Sequence, residues 1–524
     1  MQEASGSLAD HVHRAAASTP TRVALVWHDQ EITWAELDAR VQVAADRLGA
    51  LVTVDGGPPG PGHPPRVAIA LPNTPQFATT LLGALRAGLV AVPLNPGYTA
   101  PELLHVLADS AASVLVGTEE VRAHVRGLAD QLPDLVVVPP ELPDARTGPD
   151  APATAPDQLA VLLYTSGTEG QPKGAMLTHR ALLANHAQLA RIEPPVIGAD
   201  DVVLLALPLF HAYGLNAGLG AVVYHGARGV LVERFDPAGS LDLVARHHVT
   251  VAVGVPSMFV GWSLLPELGE SMASVRVAVC GAAPIEQSTA QRFTRATRHP
   301  VFVGYGLTEA APVLTSTLAS PLPKPGSIGQ PIPGVELRLV GADGYELWRD
   351  GVEAAADDED ELDLELAGSG TDPGEIVVRG ENLFSGYWPD GRGGPDDDGW
   401  WATGDIAYAD GDGELFLVDR IGELILVNGF NVYPAEVERV LDAHPGIAEA
   451  AVVGVPHPYT GQTVRAYLVR APEGAVTAED VLRHCERNLA RFKCPTSVEF
   501  VTELPHSAIG KVRKTLLGRQ ATDE

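Results

Sequence analysis

The sequence predicts an α/β fold: a large N-terminal domain of parallel-rich sheets with helices plus a β-rich subdomain, and a small α+β C-terminal domain. Three observations predict it. Short continuous apolar runs alternate with helical patterns from about residue 20 to residue 306, the signature of parallel strands covered on both faces. From about Gly326 the texture changes to β segments punctuated by Gly and Pro. After Arg420 a unit of about 100 residues follows, long enough for an independent domain. A chain of 524 residues also exceeds what one simple core usually holds.

The elements follow in order. RVALVW and RVAIAL read as buried strands, and TPQFATTLLGALRAG and APELLHVLADS as helices with Thr or Pro at their starts. LAVLLYTSG, VVLLALP, GVLVE, VTVAVGVP, VRVAVCG and VFVGYG continue the strand series, and LTHRALLANH is a helix. VELRLV, GEIVVRG, GELFLVDR and ELILVNG predict the more antiparallel lobe. The last unit is helix YPAEVERVLDAH, strands EAAVVGVP and VRAYLVR, helix TAEDVLRHCERNL and a closing loop HSAIGKVRK. No internal repeat or heptad pattern interrupts this. Val202 to Tyr224 carries no Asp, Glu, Lys or Arg over 23 residues, a length that would span a bilayer. Pro208, His211, Asn216 and Gly214, Gly218 and Gly220 interrupt it, so a buried strand, loop and small-residue helix is expected instead.

Composition narrows the function. With 66 acidic against 36 basic side chains the net charge is −30, which excludes a basic face for nucleic acid and disfavours an anionic membrane surface. Half of that excess lies between Gly341 and Gly399, where 18 acids meet three arginines. The centre of this stretch, about residues 341–373, reads as a solvated acidic loop. Cys280, Cys485 and Cys494 form no CxxC pair, and the N-terminus shows no basic-then-apolar signal, so a cytoplasmic location is expected. Only five basic residues are lysine: Lys173, Lys324, Lys493, Lys511 and Lys514. Against an arginine bias a lysine marks places where a compact, mobile ammonium is used. Lys173 and Lys511 both sit in Gly-containing loops, where such a charge can meet a phosphate.

The strongest chemical signal is YTSGTEGQPKG, Tyr164 to Gly174. Hydroxyls at Thr165, Ser166 and Thr168, glycines at 167, 170 and 174 and the Lys173 ammonium suit a polyphosphate, because glycines let backbone N–H groups approach the oxygens. It is not a Walker P-loop, since Lys173 follows Pro172 and precedes Gly174. GYGLTE (Gly304–Glu309) ends an apolar strand with an aromatic, a hydroxyl and a carboxylate; WATGD (Trp401–Asp405) sets a carboxylate suited to a ribose diol. Asp419–Arg420 ends another strand and Gly510–Lys511 lies in a loop near the C-terminus. Each alone is common as a turn or surface ion pair; their joint order is specific.

Together these segments resemble the adenylate-forming superfamily of acyl-CoA synthetases, luciferases and peptide-synthetase adenylation domains. The resemblance runs from about Leu8 to Leu517 through YTSGTEGQPKG, LPLFHAYG, VCGAAPI, GYGLTE, GEIVVRGENLFSGYW, WWATGD, LVDRIGELILVNGFNVYPAEVE and IGKVRK. NGFNVYPAEVE and PLFHAYGLNAGL look most like fatty-acid–CoA ligases of the medium- and long-chain groups. The resemblance implies a domain over residues 1–420, a mobile domain over 421–524, and use of ATP, Mg²⁺ and coenzyme A. It implies an acyl-AMP made with loss of pyrophosphate, then thioester formation with loss of AMP.

By the same resemblance Thr165, Ser166, Gly167, Thr168, Gly170 and Lys173 hold the β- and γ-phosphates, Tyr305 stacks on adenine, and Gly281, Ala282 and Ala283 offer backbone groups to its edge. Thr308 contacts the α-phosphate, Glu309 ligates Mg²⁺, Asp405 binds the ribose hydroxyls and Arg420 is a second nucleotide contact. Lys511 is the adenylation residue, neutralising charge where the carboxylate meets the α-phosphate. His211 is an aromatic gate beside the substrate carboxylate; Phe210, Asn216, Gly218 and Gly306 line the acyl site; Gly429 lines the pantetheine path.

Two positions depart from the family pattern. The hinge, usually Asp or Lys, is Gly422, which permits the backbone change of a domain rotation but removes a side chain that biases it. Domain alternation is expected to survive with an altered half-reaction balance, and unchanged rates of both half-reactions in Gly422→Asp would refute this. His506 stands where Arg is frequent, which puts a minor phosphate or CoA contact in doubt. Other readings remain: an aryl or short-chain acid, a carrier-protein acceptor, or a non-catalytic nucleotide- or acyl-binding relative. The oligomeric state stays open, with a homodimer among the options.

Overall fold

The computed structural model describes residues 6–53, 64–142, 154–166, 172–283, 285, 287–341, 344–353, 370–420, 425–428, 430–432, 434–471, 476–505, 514 and 517. Among these residues the strands form four sheets. In the largest, strands Val23–Trp27, Arg228–Leu231, Val202–Leu205, Val251–Gly254, Val277–Cys280 and Val301–Gly306 lie side by side and parallel. Antiparallel strands Gln30–Thr33 and Val313–Ser316 flank this run. The interior strands are buried along their length, because helices cover both faces and a β-branched apolar run needs no polar alternation there.

A second sheet orders Val136–Val138, Val114–Gly117, Arg66–Ala70, Val90–Pro93, Leu159–Ser166 and Pro172–Thr178. The last strand was not anticipated by the sequence pattern, which passed from the glycine-rich loop straight into a helix. It pairs antiparallel with Leu159–Ser166, bringing Thr165 opposite Lys173, and Pro172 is tolerated because this is an edge. Thr178 then caps the helix His179–Leu189, accepting the Ala181 amide at 3.1 Å.

The third sheet is antiparallel, from Val352–Glu353 through Glu346–Arg349, Glu336–Val340, Gly374–Arg379 and Trp401–Ala409 to Leu415–Arg420. Trp401–Ala409 alternates buried and partly exposed positions, as a sheet with one packed face requires. The fourth sheet holds Phe430–Val432, Ile425–Val427, Gly461–Arg470 and Ile447–His457, with Ser497–Val501 parallel to Gly461–Arg470. Helices Pro434–Asp442 and Ala478–Asn488 accompany it. Of the stretch 341–373 expected as one acidic loop, Glu346–Arg349 and Val352–Glu353 are instead strands of the third sheet, and residues 354–369 lie outside the described residues.

The uncharged stretch after Val202 is a strand, Val202–Leu205, then a loop, then one helical rod: a π-helical section Tyr213–Gly220 continuing as an α-helix Ala221–His225. No helix among the described residues is long and apolar enough to cross a membrane.

The fourth sheet's unit touches the second sheet's helices through one buried ionic cluster. Glu102 closes the capping box of helix Ala100–Asp109, its carboxylate accepting the Thr99 amide at 2.8 Å. Its other oxygen accepts the Ala490 amide at 3.0 Å and Lys493 Nζ at 3.3 Å, while Lys493 also donates to Glu436 at 2.8 Å. Lys493 is 4% exposed. Burial by itself would lower its pKa, yet Tyr98, Glu436 and Glu102 more than offset that and raise it.

Candidate active site

Parallel strands leave their carboxyl ends on one side, and a crevice there is where open α/β sheets take ligands. Here the ends of Val251–Gly254, Val277–Cys280 and Val301–Gly306 open into a cavity of about 590 Å³. Its other walls come from Thr165 of the hairpin, Asp405 and Leu417 of the antiparallel sheet, and Leu426, Asn428, Thr460, Gly461 and Gln462 of the C-terminal unit.

At one end the wall is polar. Gly281, Ala282 and Ala283 follow a buried strand, and Ala282 adopts φ +65°, a left-handed conformation that a non-glycine residue holds only when its surroundings impose it. Tyr305 Oη donates to Asp405 Oδ2 at 2.7 Å with both groups buried, so the aromatic and the carboxylate predicted separately form one unit. Asp405 pairs with Arg420 across neighbouring strands, and its amide is held by Thr403 Oγ1 at 3.1 Å. Thr308 and Glu309 start a 3₁₀ turn after Leu307; Glu309 is 7% exposed, and Tyr387 Oη donates to its Oε1 at 2.7 Å. Tyr387 also lies under Lys173, whose Nζ is 5.7 Å from the ring centroid. Tyr387 was missed from sequence although it belongs to the GEIVVRGENLFSGYW segment; nothing in that string says which hydroxyl faces the carboxylate.

Magnesium takes oxygen ligands and usually one or two carboxylates together with substrate phosphates. No cluster of three or more His, Cys, Asp or Glu that could hold a metal occurs among the described residues. The single buried Glu309 carboxylate beside Thr308 fits an ion that completes its shell on phosphate oxygens, and it does not fit an all-protein metal cage.

The other end is built on helices. His211 and the rod face Tyr213, Ala217, Ala221 and His225 line it, together with His186 of helix His179–Leu189. His211 Nδ1 accepts the Tyr213 amide at 3.3 Å, which leaves the proton on Nε2, and burial pushes its pKa down to about 4. Gly306 and Ser257 are in the same wall. Gly306 must be glycine, since a Cβ there would sit 1.8 Å from the Pro312 carbonyl oxygen.

Three residues expected to line the acyl site are not in the cavity wall. Asn216 is 1% exposed and its amide is fully engaged: Nδ2 donates to Leu182 O at 3.1 Å and Ala311 O at 2.6 Å, and Oδ1 takes His186 Nε2 at 2.9 Å. It therefore fixes the wall rather than forming it. Gly218 faces Leu205, and Phe210 packs against the main core. His186, His225 and the C-terminal rim residues were missed; the 213, 217, 221, 225 spacing is a sequence signal for His225 alone.

Gly167, Thr168, Gly170, Gly422, Gly429, His506 and Lys511 lie outside the described residues, as do the side chains of Ser166 and Arg420.

The comparisons agree with this geometry. The family profile for AMP-binding enzymes matches residues 12–388, and that for the AMP-binding enzyme C-terminal domain matches residues 436–511. A feruloyl-CoA synthase from Amycolatopsis sp is 37% identical over 508 residues, covering 96% of this chain and 96% of that protein. A long-chain-fatty-acid–CoA ligase of Escherichia coli O157:H7 is 33% identical over 562 residues, covering 99% and 94%. The structure of an o-succinylbenzoate CoA synthetase double mutant from Bacillus subtilis, bound to a product analogue, superposes with TM-score 0.82 at 30% identity, covering 98% of both chains. Buried Asp405 and Glu309 carboxylates in one cavity wall and these matches lead to one conclusion: the chain belongs to the adenylate-forming, AMP-binding family of acyl-CoA ligases, enzymes that use ATP, Mg²⁺ and coenzyme A.

Proposed function

We propose that this enzyme activates a carboxylic acid as its acyl-adenylate and passes the acyl group to the thiol of coenzyme A. The observation that carries the reading is a single cavity with a polar end at Tyr305, Asp405 and Glu309 and a helix-lined end at His211, Ala217 and Ala221. A carboxylate is a poor electrophile, because its charge repels nucleophiles and oxide does not leave. In the first step a carboxylate oxygen attacks the ATP α-phosphorus and pyrophosphate departs. In the second the CoA thiolate attacks the acyl carbonyl and AMP departs, while the thiol proton passes to solvent.

In this reading Thr165, Ser166, Gly167, Thr168, Gly170 and Lys173 hold the β- and γ-phosphates, and Thr308 contacts the α-phosphate. Gly281, Ala282 and Ala283 edge the adenine, Tyr305 stacks on it, and Asp405 with Arg420 takes the ribose. Glu309 would hold Mg²⁺, which supplies positive charge to the phosphate oxygens. Residues 1–420 bind the nucleotide. Residues 421–524 swing about Gly422, delivering Lys511 for the first step and the Gly429 segment for the second. Positioning and electrostatics do the catalysis, because both steps concentrate negative charge that fixed cations and donors stabilise.

For the acid, a medium- or long-chain fatty acid is the first reading, supported by the apolar walls Leu189, Val253, Val279 and Val303. An aryl or shorter acid is favoured by the closure of the helix-lined end with His186 and His225. Carboxylate-dependent exchange of pyrophosphate into ATP tests the first step. Its absence over a broad acid panel favours a binding relative instead, and AMP release that requires a carrier protein rather than CoA reassigns the acceptor.

A further inference from the structure

The helix-lined end of the cavity closes on side chains that an entirely hydrocarbon ligand does not call for. Residues four apart share a helix face, so Tyr213, Ala217, Ala221 and His225 form one stripe along the rod Tyr213–Gly220 and Ala221–His225. All four are in the cavity wall. Tyr213 marks the nucleotide side, since a Cβ on Gly281 would stand 2.9 Å from its hydroxyl oxygen. His225 is three turns away, up to roughly 18 Å at the α-helical rise. The two alanines between leave the channel open.

At that far end His225 meets Tyr224 edge-on at 5.0 Å, and Tyr224 stacks on His186 at 5.0 Å and on His11 at 4.7 Å. The Nε2 of His186 is committed: Asn216 Oδ1 can only accept, because its Nδ2 faces two carbonyls, so Nε2 is the donor, while the buried Nδ1 has no partner among the described residues. The His225 ring has no hydrogen bond among the described residues. Burial holds its pKa down to about 4, so at neutral pH the ring is uncharged, one nitrogen donating and one accepting.

We propose that His225 is a specificity-determining residue that hydrogen-bonds an uncharged polar group, a hydroxyl or its equivalent, at the end of the acid remote from its carboxylate. The inference rests on the acyl-CoA ligase reading and names the substrate class within it. An acid ending in plain hydrocarbon would cover the His225 nitrogens without replacing their water, and a site built to hydrogen-bond a group discriminates strongly against the analogue lacking it. Tyr224 packs edge-on against the ring, so the partner must come along the channel.

The test compares kcat/KM for CoA-dependent AMP release with matched acids: ω-hydroxyalkanoic against alkanoic acids of equal length, and a ring-hydroxylated aryl acid against its parent. The wild-type protein is expected to prefer the hydroxylated member of at least one pair by on the order of 10- to 100-fold. His225→Leu is expected to collapse that ratio by raising turnover of the unsubstituted acid, and His225→Gln to keep part of it. A wild-type preference for the unsubstituted acid in every pair overturns the inference, and this arm needs no variant to fold. Turnover with a ratio unchanged in His225→Leu overturns it too. No AMP release with any acid overturns the ligase reading, and the inference with it.

Discussion

The two ends of the cavity are made by different means. The nucleotide end is built from strand ends and the turns that follow them, residues 281–283 and 304–309, and from Asp405 within the strand Trp401–Ala409, held by hydrogen bonds such as Tyr305 to Asp405 and Tyr387 to Glu309. The acyl end is built from one face of a helical rod and a histidine of the neighbouring helix, with no carboxylate in its wall. Loops fix short polar groups at defined points, which suits a ligand that never varies. A helix face sets width and depth through side-chain size, which suits a ligand that differs between relatives.

The largest expected effect breaks the nucleotide end alone. Lys511→Ala should lower pyrophosphate exchange by about 10²–10³-fold, ~3–4 kcal/mol, the range seen when one preorganised charge-stabilising donor is removed. The acyl end should be untouched, so thioester formation from a supplied acyl-adenylate should persist. Full exchange activity in the variant would remove Lys511 from the reaction.

The next effect belongs to the acyl end and is set by protons. Burial lowers the pKa of His186 to about 3, and of His211 and His225 to about 4. Above about pH 6.5 both folded and unfolded chains carry these rings neutral, and they contribute no pH dependence. Below it the unfolded chain binds protons that the folded one refuses, so stability falls as pH falls toward the folded values. His186, 1% exposed, should remove up to about 1.4 kcal/mol per pH unit once the unfolded ring is protonated; His211 and His225 remove less, because their rings face the cavity. Thermal unfolding between pH 7 and 5 measures this, and His186→Gln should flatten the slope. An unchanged slope would mean that His186 is not held neutral.

The smallest effect sharpens the comparison. Tyr305→Phe keeps the ring but leaves Asp405 Oδ2 without its 2.7 Å donor. A charged acceptor losing one buried hydrogen bond costs ~1–2 kcal/mol, so KM for ATP should rise about tenfold while the ranking of acids stays as it was. A changed acid ranking would show that the two ends are not independent.

Legibility in the sequence divides along the same line. Loop residues were readable because glycine, hydroxyl, carboxylate and lysine in one short segment have few other uses, as in YTSGTEGQPKG and GYGLTE. Strand and helix order was readable because each buried strand is a continuous apolar run. The added strand Pro172–Thr178 was not, since a lone edge strand with Pro and Gly reads as loop. Asn216 was placed in the acyl site by the family resemblance, whereas its amide is spent on two carbonyls and a histidine that only the fold brings near. The same holds for Lys493: Glu102 stands 391 positions away, and no local pattern announces that pair. Long-range polar pairing is what one sequence conceals.

Release of AMP from ATP, measured with and without CoA across acids graded in length, aromaticity and terminal hydroxylation, tests the account most directly. AMP release is expected to need both an acid and CoA, to be strongest for an acid reaching the His225 end with a polar group, and to be lost in Lys511→Ala. AMP release independent of CoA, or none with any acid, would contradict it.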